Sequence, residues 1–190
     1  TIKAPILNKR GVDNVKVKEM AVTALFLALG LILHQITVGL LAGMKPDFVI
    51  TMLFVSFLII RNARLTLPAG LAAGIIAALT TSMPGGQLPN IIDKLITAAV
   101  AMGLIKLLGG RLNSYLLAGL VGFLGTIVSG LAFLTAVAFI VGLPAPFMAL
   151  FVTVVVPTAV INAFLTPFLY GLALAPARSL GLAGRAKHSA

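Results

Sequence analysis

The chain has 190 residues, of which 60% are apolar and 9% charged, and it carries a formal net charge of +10. With a mean hydropathy of +1.15, this is a chain whose solvent is largely lipid, which excludes a soluble globular domain. It contains no cysteine, which rules out disulfides and thiolate metal sites.

Spanning a bilayer takes roughly 20 helical residues, and six segments compete for that role, at about 19–42, 46–60, 65–83, 90–108, 114–142 and 147–175. The expected fold is all-α: a single membrane domain of six transmembrane helices across residues 19–175, with a basic segment 1–18 before it and a tail 176–190 after it. A cleavable signal peptide is not expected, since the basic start runs into a full-length span without a small-residue cleavage pattern.

Lys3, Lys9, Arg10, Lys16 and Lys18 precede the first segment. The segment itself carries Ala21, Ala24 and Ala28, a spacing that puts small side chains on one helix face where another backbone can approach. That partner can be internal or external. The break after it reads His34-Gln35, then Gly43-Met44-Lys45-Pro46-Asp47-Phe48. Proline followed by an acid suits a helix start, with Pro46 in the first turn and Asp47 complementing the helix dipole. The second segment has only the thirteen residues Phe48–Ile60 without interruption, and is expected to be short or partly sunken.

Arg61 and Arg64 separate the second and third segments. The next break, Met83-Pro84-Gly85-Gly86-Gln87-Leu88-Pro89-Asn90, leads into Asp93 and Lys94. Its glycines allow positive φ, which serves an ordinary tight turn or a gate equally well. Asn90, Asp93 and Thr97 recur at i, i+3 and i+7 and form a polar stripe on an otherwise apolar helix. Such a stripe facing lipid is costly, so it faces protein or a wet cavity. A structural ion pair of Asp93 with Lys45 or Lys94 and a ligand-lined cavity both satisfy it.

Lys106 and Arg111 follow the fourth segment. The fifth carries Gly119, Gly122, Gly125 and Gly130, a pattern for close helix packing. The sixth contains Pro157 and Pro167, expected to kink it, and a stripe of Thr158, Asn162 and Thr166. These polar groups either line a cavity floor or satisfy backbone carbonyls freed by proline. Arg178, Arg185 and Lys187 close the chain.

Twelve of the fourteen basic residues thus fall at alternate breaks, which the positive-inside rule assigns to the cytoplasm together with both termini. The other breaks hold only Lys45 with Asp47 and Lys94 with Asp93, four ionisable groups that topology does not require. Since the basic residues sit at span ends without an aromatic or glycine-rich pattern, their partners are anionic lipid headgroups, not nucleic acid. No GxxxxGK[ST] loop is present for ATP. A lipid or prenyl transferase would want clustered cytoplasmic carboxylates for magnesium, and only Asp13 and Glu19 lie on that side. Two histidines, His34 and His188, do not make a metal cluster.

Six spans, an alanine-rich first helix and outward loops able to gate a ligand resemble the substrate-binding S component of an energy-coupling-factor (ECF) transporter. The stretches Gly43-Met44-Lys45-Pro46-Asp47 and Pro84-Gly85-Gly86-Gln87-Leu88-Pro89-Asn90-Ile91-Ile92-Asp93-Lys94 resemble, more narrowly, the TrpP tryptophan transporter family, over a region from about Ala21 to about Ala101. The resemblance implies tryptophan as substrate. In the wider family it also implies that Ala24 and Ala28 contact a transmembrane coupling subunit, which works with two ATPase subunits. Tryptophan is a zwitterion with an indole, and two acids and two lysines suit it. Asp93 with Asn90 is expected to hold the ammonium, and Lys94 or Lys45 the carboxylate. Met44, Phe48 and Met83, with Gln87 or His34, are expected to hold the indole. Neither a cofactor nor catalysis is expected. The alternatives are an S component for a vitamin or queuosine precursor, or a stand-alone tryptophan transporter.

Overall fold

The computed structural model describes residues 9–37 and 47–182, with side chains from residue 17 onward. Their regular secondary structure is helical: α1 (Lys9–Ile36), α2 (Phe48–Ile60), α3 (Thr66–Thr80), α4 (Gln87–Leu108), α5 (Ser114–Ile140), α6 (Phe147–Leu150) and α7 (Val156–Ser179). A 3₁₀ turn, Ala63–Leu65, leads into α3, and a π-helical turn, Phe151–Val155, joins α6 to α7. The described helices therefore make six runs, in the order of the six apolar segments.

Phe48–Ile60 is too short to face lipid along its length and has no polar face, so it is stable only when surrounded by other helices. It forms the axis of the bundle, with every residue from Val49 to Ile60 buried. α1, α3, α4, α5 and α7 all pack on it. Around this axis α3 lies along α4, α4 along α5, and α5 along α7. The expectation of a short second segment is met.

Glycine sets how closely the outer helices approach. A Cβ at Gly122 of α5 would lie 2.3 Å from the Asn162 carbonyl oxygen and 2.5 Å from Thr166 Oγ1 on α7, and one at Gly125 would lie 2.5 Å from the Phe54 ring of α2. The glycine pattern of the fifth segment is thus consumed by internal packing. Four helical stretches are long and apolar enough to cross a membrane by length and composition: Val17–Ile36, Ala63–Thr80, Ser114–Ile140 and Phe147–Ser179. α4 is long enough, but it holds Asp93 and Lys94, with Lys106 in its last turn.

Some boundaries differ from expectation for local reasons. α3 stops at Thr80, and α4 starts at Gln87, ahead of Asn90. Pro89 is accommodated because a first-turn N–H has no intrahelical acceptor to lose. Asp47 caps α2 from just outside the helix, accepting from the Ile50 N–H at 3.1 Å, instead of sitting within its first turn. Pro46, Met44 and Lys45 lie outside the described residues. Near Pro157 the chain takes up a π turn, in which the Val156 N–H reaches back to the Phe151 carbonyl.

Candidate functional site

At one end of the bundle a cavity of about 390 Å3 opens between α2, α3, α4, α5 and the α6–α7 run. Its size lies within the ~300–1,000 Å3 range of small-molecule sites. Each wall has a local cause. The end of α3 contributes Ala77 and Thr80, and the chain beyond it Thr81, Ser82 and Met83. There Pro84 and Gly85 occupy the centre of a turn closed by the Gly86 N–H on the Met83 carbonyl at 3.0 Å. Gly85 has φ +73, as the third position of a type II turn requires. The Asn90 amide donates to the Gly86 carbonyl at 2.8 Å and ties that turn to α4.

The polar stripe of α4 points inward. Asn90, Asp93 and Thr97 are all buried, as the cost of exposing them to lipid demands. Lys94 joins them because its flexible stem carries the ammonium back towards the preceding residue. Lys94 Nζ donates to Asp93 Oδ2 at 2.7 Å and to Asp47 Oδ2 at 2.8 Å, with Ser129 Oγ of α5 at 3.5 Å. The Thr97 hydroxyl donates to Asp93 Oδ1 at 2.9 Å. A carboxylate, an ammonium and a second carboxylate thus line one cavity, held by α4 and the cap of α2. Of the three, Asp47 is the open one: its side chain is 31% exposed, against 1% for Asp93 and 2% for Lys94.

Opposite these charges the cavity is apolar. Phe133 and Leu134 of α5, with Leu150, Val154 and Val155 of the α6–α7 run, form the facing wall. A second polar group lies close by: the Thr51 hydroxyl of α2 donates to Asn162 Oδ1 at 3.2 Å, and Asn162 Nδ2 donates to Thr126 Oγ1 of α5 at 2.9 Å. Thr126 lines the cavity as well. Of the sixth-segment stripe, Thr158 lines the cavity while bonding the Val154 carbonyl at 2.7 Å, and Asn162 bridges helices. Thr166 Oγ1 is buried and makes no hydrogen bond. Each of the two expectations for this stripe holds for one member at most.

Of the residues singled out from sequence, His34, Asp47, Met83, Asn90, Asp93 and Lys94 line the cavity together. Gln87 is exposed, and neither it nor Phe48 is among the lining residues. Lys45 and Met44 fall outside the described residues. Sequence reasoning missed Ser129, Phe133 and the valines of the π turn. Thr126, Ser129 and Phe133 do recur at i, i+3 and i+7 in α5, the same signal that identified the α4 stripe.

At the opposite end the Asn62 amide donates to the Glu19 carboxylate and the Lys18 ammonium to the Leu180 carbonyl. Ala21, Ala24 and Ala28 lie exposed on α1, together with Leu25, Leu29 and Ile32, while Thr23, Phe26, Leu27 and Gly30 face the bundle. The alanine face is therefore not an internal packing face.

The family model described as "Tryptophan transporter TrpP" matches residues 16–175, well beyond the stretch that carried the resemblance in sequence. A "Probable tryptophan transport protein" of Clostridium perfringens is 45% identical over 162 residues, covering 80% of this chain and 89% of that protein. A protein of the same description in Clostridium acetobutylicum is 41% identical over 153 residues, covering 80% of this chain and 90% of its own length. One in Bacillus subtilis is 44% identical over 147 residues, covering 77% and 85%. No solved structure matches the chain.

Proposed function

The chain belongs to the TrpP tryptophan transporter family, and on that premise we propose that it carries tryptophan across the cell membrane by binding the zwitterion in the charge-lined cavity. It is a multi-pass membrane transport protein and not an enzyme. The observation that carries the site is the set Asp47, Lys94 and Asp93 lining a cavity of about 390 Å3 in an otherwise apolar bundle. Ionisable groups at such depth are costly, and they mark the path or site of a polar solute. Carboxylates suit the ammonium of the amino acid and Lys94 suits its carboxylate. The indole lies against Phe133, Leu134 and the π-turn valines, with Met83 and His34 near the mouth.

In this reading all six helical runs cross the membrane, with both termini on the cytoplasmic side and the cavity facing outward. The basic residues at the ends of α1, α2, α4 and α7 support that orientation. The outward-exposed Ala24 and Ala28 support a further step, in which the chain acts as an ECF-type S component. Their small side chains leave room for a coupling subunit, and import is then driven by two partner ATPases.

The test uses a property of the chain itself. It has no tryptophan and only two tyrosines, so selectively excited indole emission comes from the ligand. Adding purified protein to tryptophan is expected to produce a saturable emission shift that histidine and riboflavin do not reverse. An unchanged spectrum at stoichiometric protein rules the reading out.

A further inference from the structure

Lys94 has three N–H donors, and all face protein acceptors: Asp47 and Asp93 at 2.8 and 2.7 Å, and Ser129 at 3.5 Å. A ligand carboxylate therefore engages this ammonium only by displacing something. The two aspartates are not equivalent. Asp93 is 1% exposed and commits one oxygen to Lys94 and the other to Thr97. Asp47 is 31% exposed; its Oδ1 accepts from the Ile50 N–H, and its Oδ2 has Lys94.

We propose that the amino-acid ligand binds by ion-pair exchange: its carboxylate takes Lys94 from Asp47, and the carboxylate of Asp47, so released, takes its ammonium. This rests on the reading of the cavity as the tryptophan site, and it assigns the ammonium contact to Asp47, not to Asp93. Asp93 and Thr97 are positioning residues that hold Lys94 while its outer partner changes. Electrostatics favours the exchange over simple addition. A carboxylate added beside an intact Asp47–Lys94 pair sits against a like charge. After exchange the order is Asp47, ligand ammonium, ligand carboxylate, Lys94, Asp93, in which every neighbour has opposite sign.

Exchange makes the cavity select for ligands that carry both charges. An acid without the ammonium, such as indole-3-propionate, takes Lys94 but leaves the carboxylate of Asp47 without its lysine partner. An amine without the carboxylate, tryptamine, draws Asp47 away and leaves Lys94 with one partner of its former two. Each should bind at least about tenfold more weakly than tryptophan, the scale set by unpairing one member of a buried charge pair.

The test is the ratio of tryptophan to indole-3-propionate affinity, read by indole emission in the full chain and in two variants. Asp47→Asn keeps the cap on Ile50, since asparagine caps as well as aspartate, and leaves Lys94 neutralised by Asp93. It should weaken tryptophan at least about tenfold while the acid holds or tightens, bringing the two to within about threefold. Asp93→Asn should keep the parent ratio. Should Asp47→Asn not fold, Asp47→Ser, which also caps, takes its place, and the two analogues on the parent protein test the need for paired charge without any variant. An unchanged ratio in the Asp47 variant, a ratio collapsed by Asp93→Asn instead, or either analogue binding the parent as tightly as tryptophan overturns the exchange. Absence of any tryptophan binding by the parent overturns the cavity reading as well, and so separates the two failures.

Discussion

Replacing Lys94 by methionine removes the ammonium that, among the described residues, pairs with both aspartates, while keeping much of the side-chain volume. The structure sets the size of the effect. Lys94 is 2% exposed and makes two ion pairs, at 2.7 and 2.8 Å, one with a carboxylate that is 1% exposed. Breaking a buried pair by removing one partner costs roughly 3–5 kcal/mol, because a charge is left buried without compensation. In a chain of this length each kcal/mol corresponds to about 2–4 °C in Tm, so the midpoint should fall by about 6–20 °C. The assay is thermal unfolding in detergent micelles, followed by far-UV circular dichroism at one scan rate for all variants. The cause is isolated by adding Asp47→Asn and Asp93→Asn to Lys94→Met. That triple variant has no buried charge in the trio and should recover at least half of the loss, since well-packed neutral replacements of an ion cluster are often no less stable than the cluster. A single variant that melts within about 2 °C of the parent refutes the reasoning. So does a triple variant that melts no higher than the single.

Gly122→Ala places a methyl group 2.3 Å from the Asn162 carbonyl oxygen, and the forced separation of α5 from α7 should cost about 1–3 kcal/mol in the same melting assay. Gly103→Ala, with nothing within 4 Å, should instead be neutral or stabilising by about 0.5–1 kcal/mol, as alanine for glycine in a helix interior is. Ala24→Leu combined with Ala28→Leu, on the exposed face of α1, should leave tryptophan binding by the isolated protein intact and abolish ATP-driven uptake and co-purification with coupling subunits. Survival of uptake excludes that face as the docking surface and favours a stand-alone transporter.

Within single helices the sequence is a good guide, because one periodicity and one solvent decide each case. Asn90, Asp93 and Thr97 had to face inward, since a polar stripe of three such residues in lipid is untenable. Phe48–Ile60 had to be sheltered, being apolar all round and too short to span alone. Ala24 and Ala28 are different: spacing places them on one face, but whether that face looks in or out depends on how α1 is rotated against α2. The pairing of Asp47 with Lys94 is hidden for the same reason. The two are forty-seven positions apart, and their meeting depends on α2 standing at the centre of the bundle with its cap level with the second turn of α4. The contact of Lys94 with its neighbour Asp93 is one of two the sequence offers for that aspartate, the other being Lys45: adjacent helical positions point to different sides, and the reach of the lysine stem closes the gap. Phe133 and the valines of the far wall carry no chemical signal of their own, since apolar residues in a membrane helix are the background composition.

The π turn at Phe151–Val155 also decides what lengths the chain tolerates. A π turn holds one residue more than the α turn it replaces, so everything before it is advanced by about 100° of helical phase relative to an unbroken α-helix. Leu150, Val154, Val155 and Thr158 line the cavity with that extra residue in place. Loss of one residue here would let the segment relax into a uniform α-helix with Phe147–Leu150 still in phase with α7, whereas one further residue would turn Phe147–Leu150 by about 100°. An insertion in the exposed connection at Val141 and Gly142 carries no such rotation. The run from Phe147 to Thr158 therefore tolerates the loss of one residue better than the gain of one.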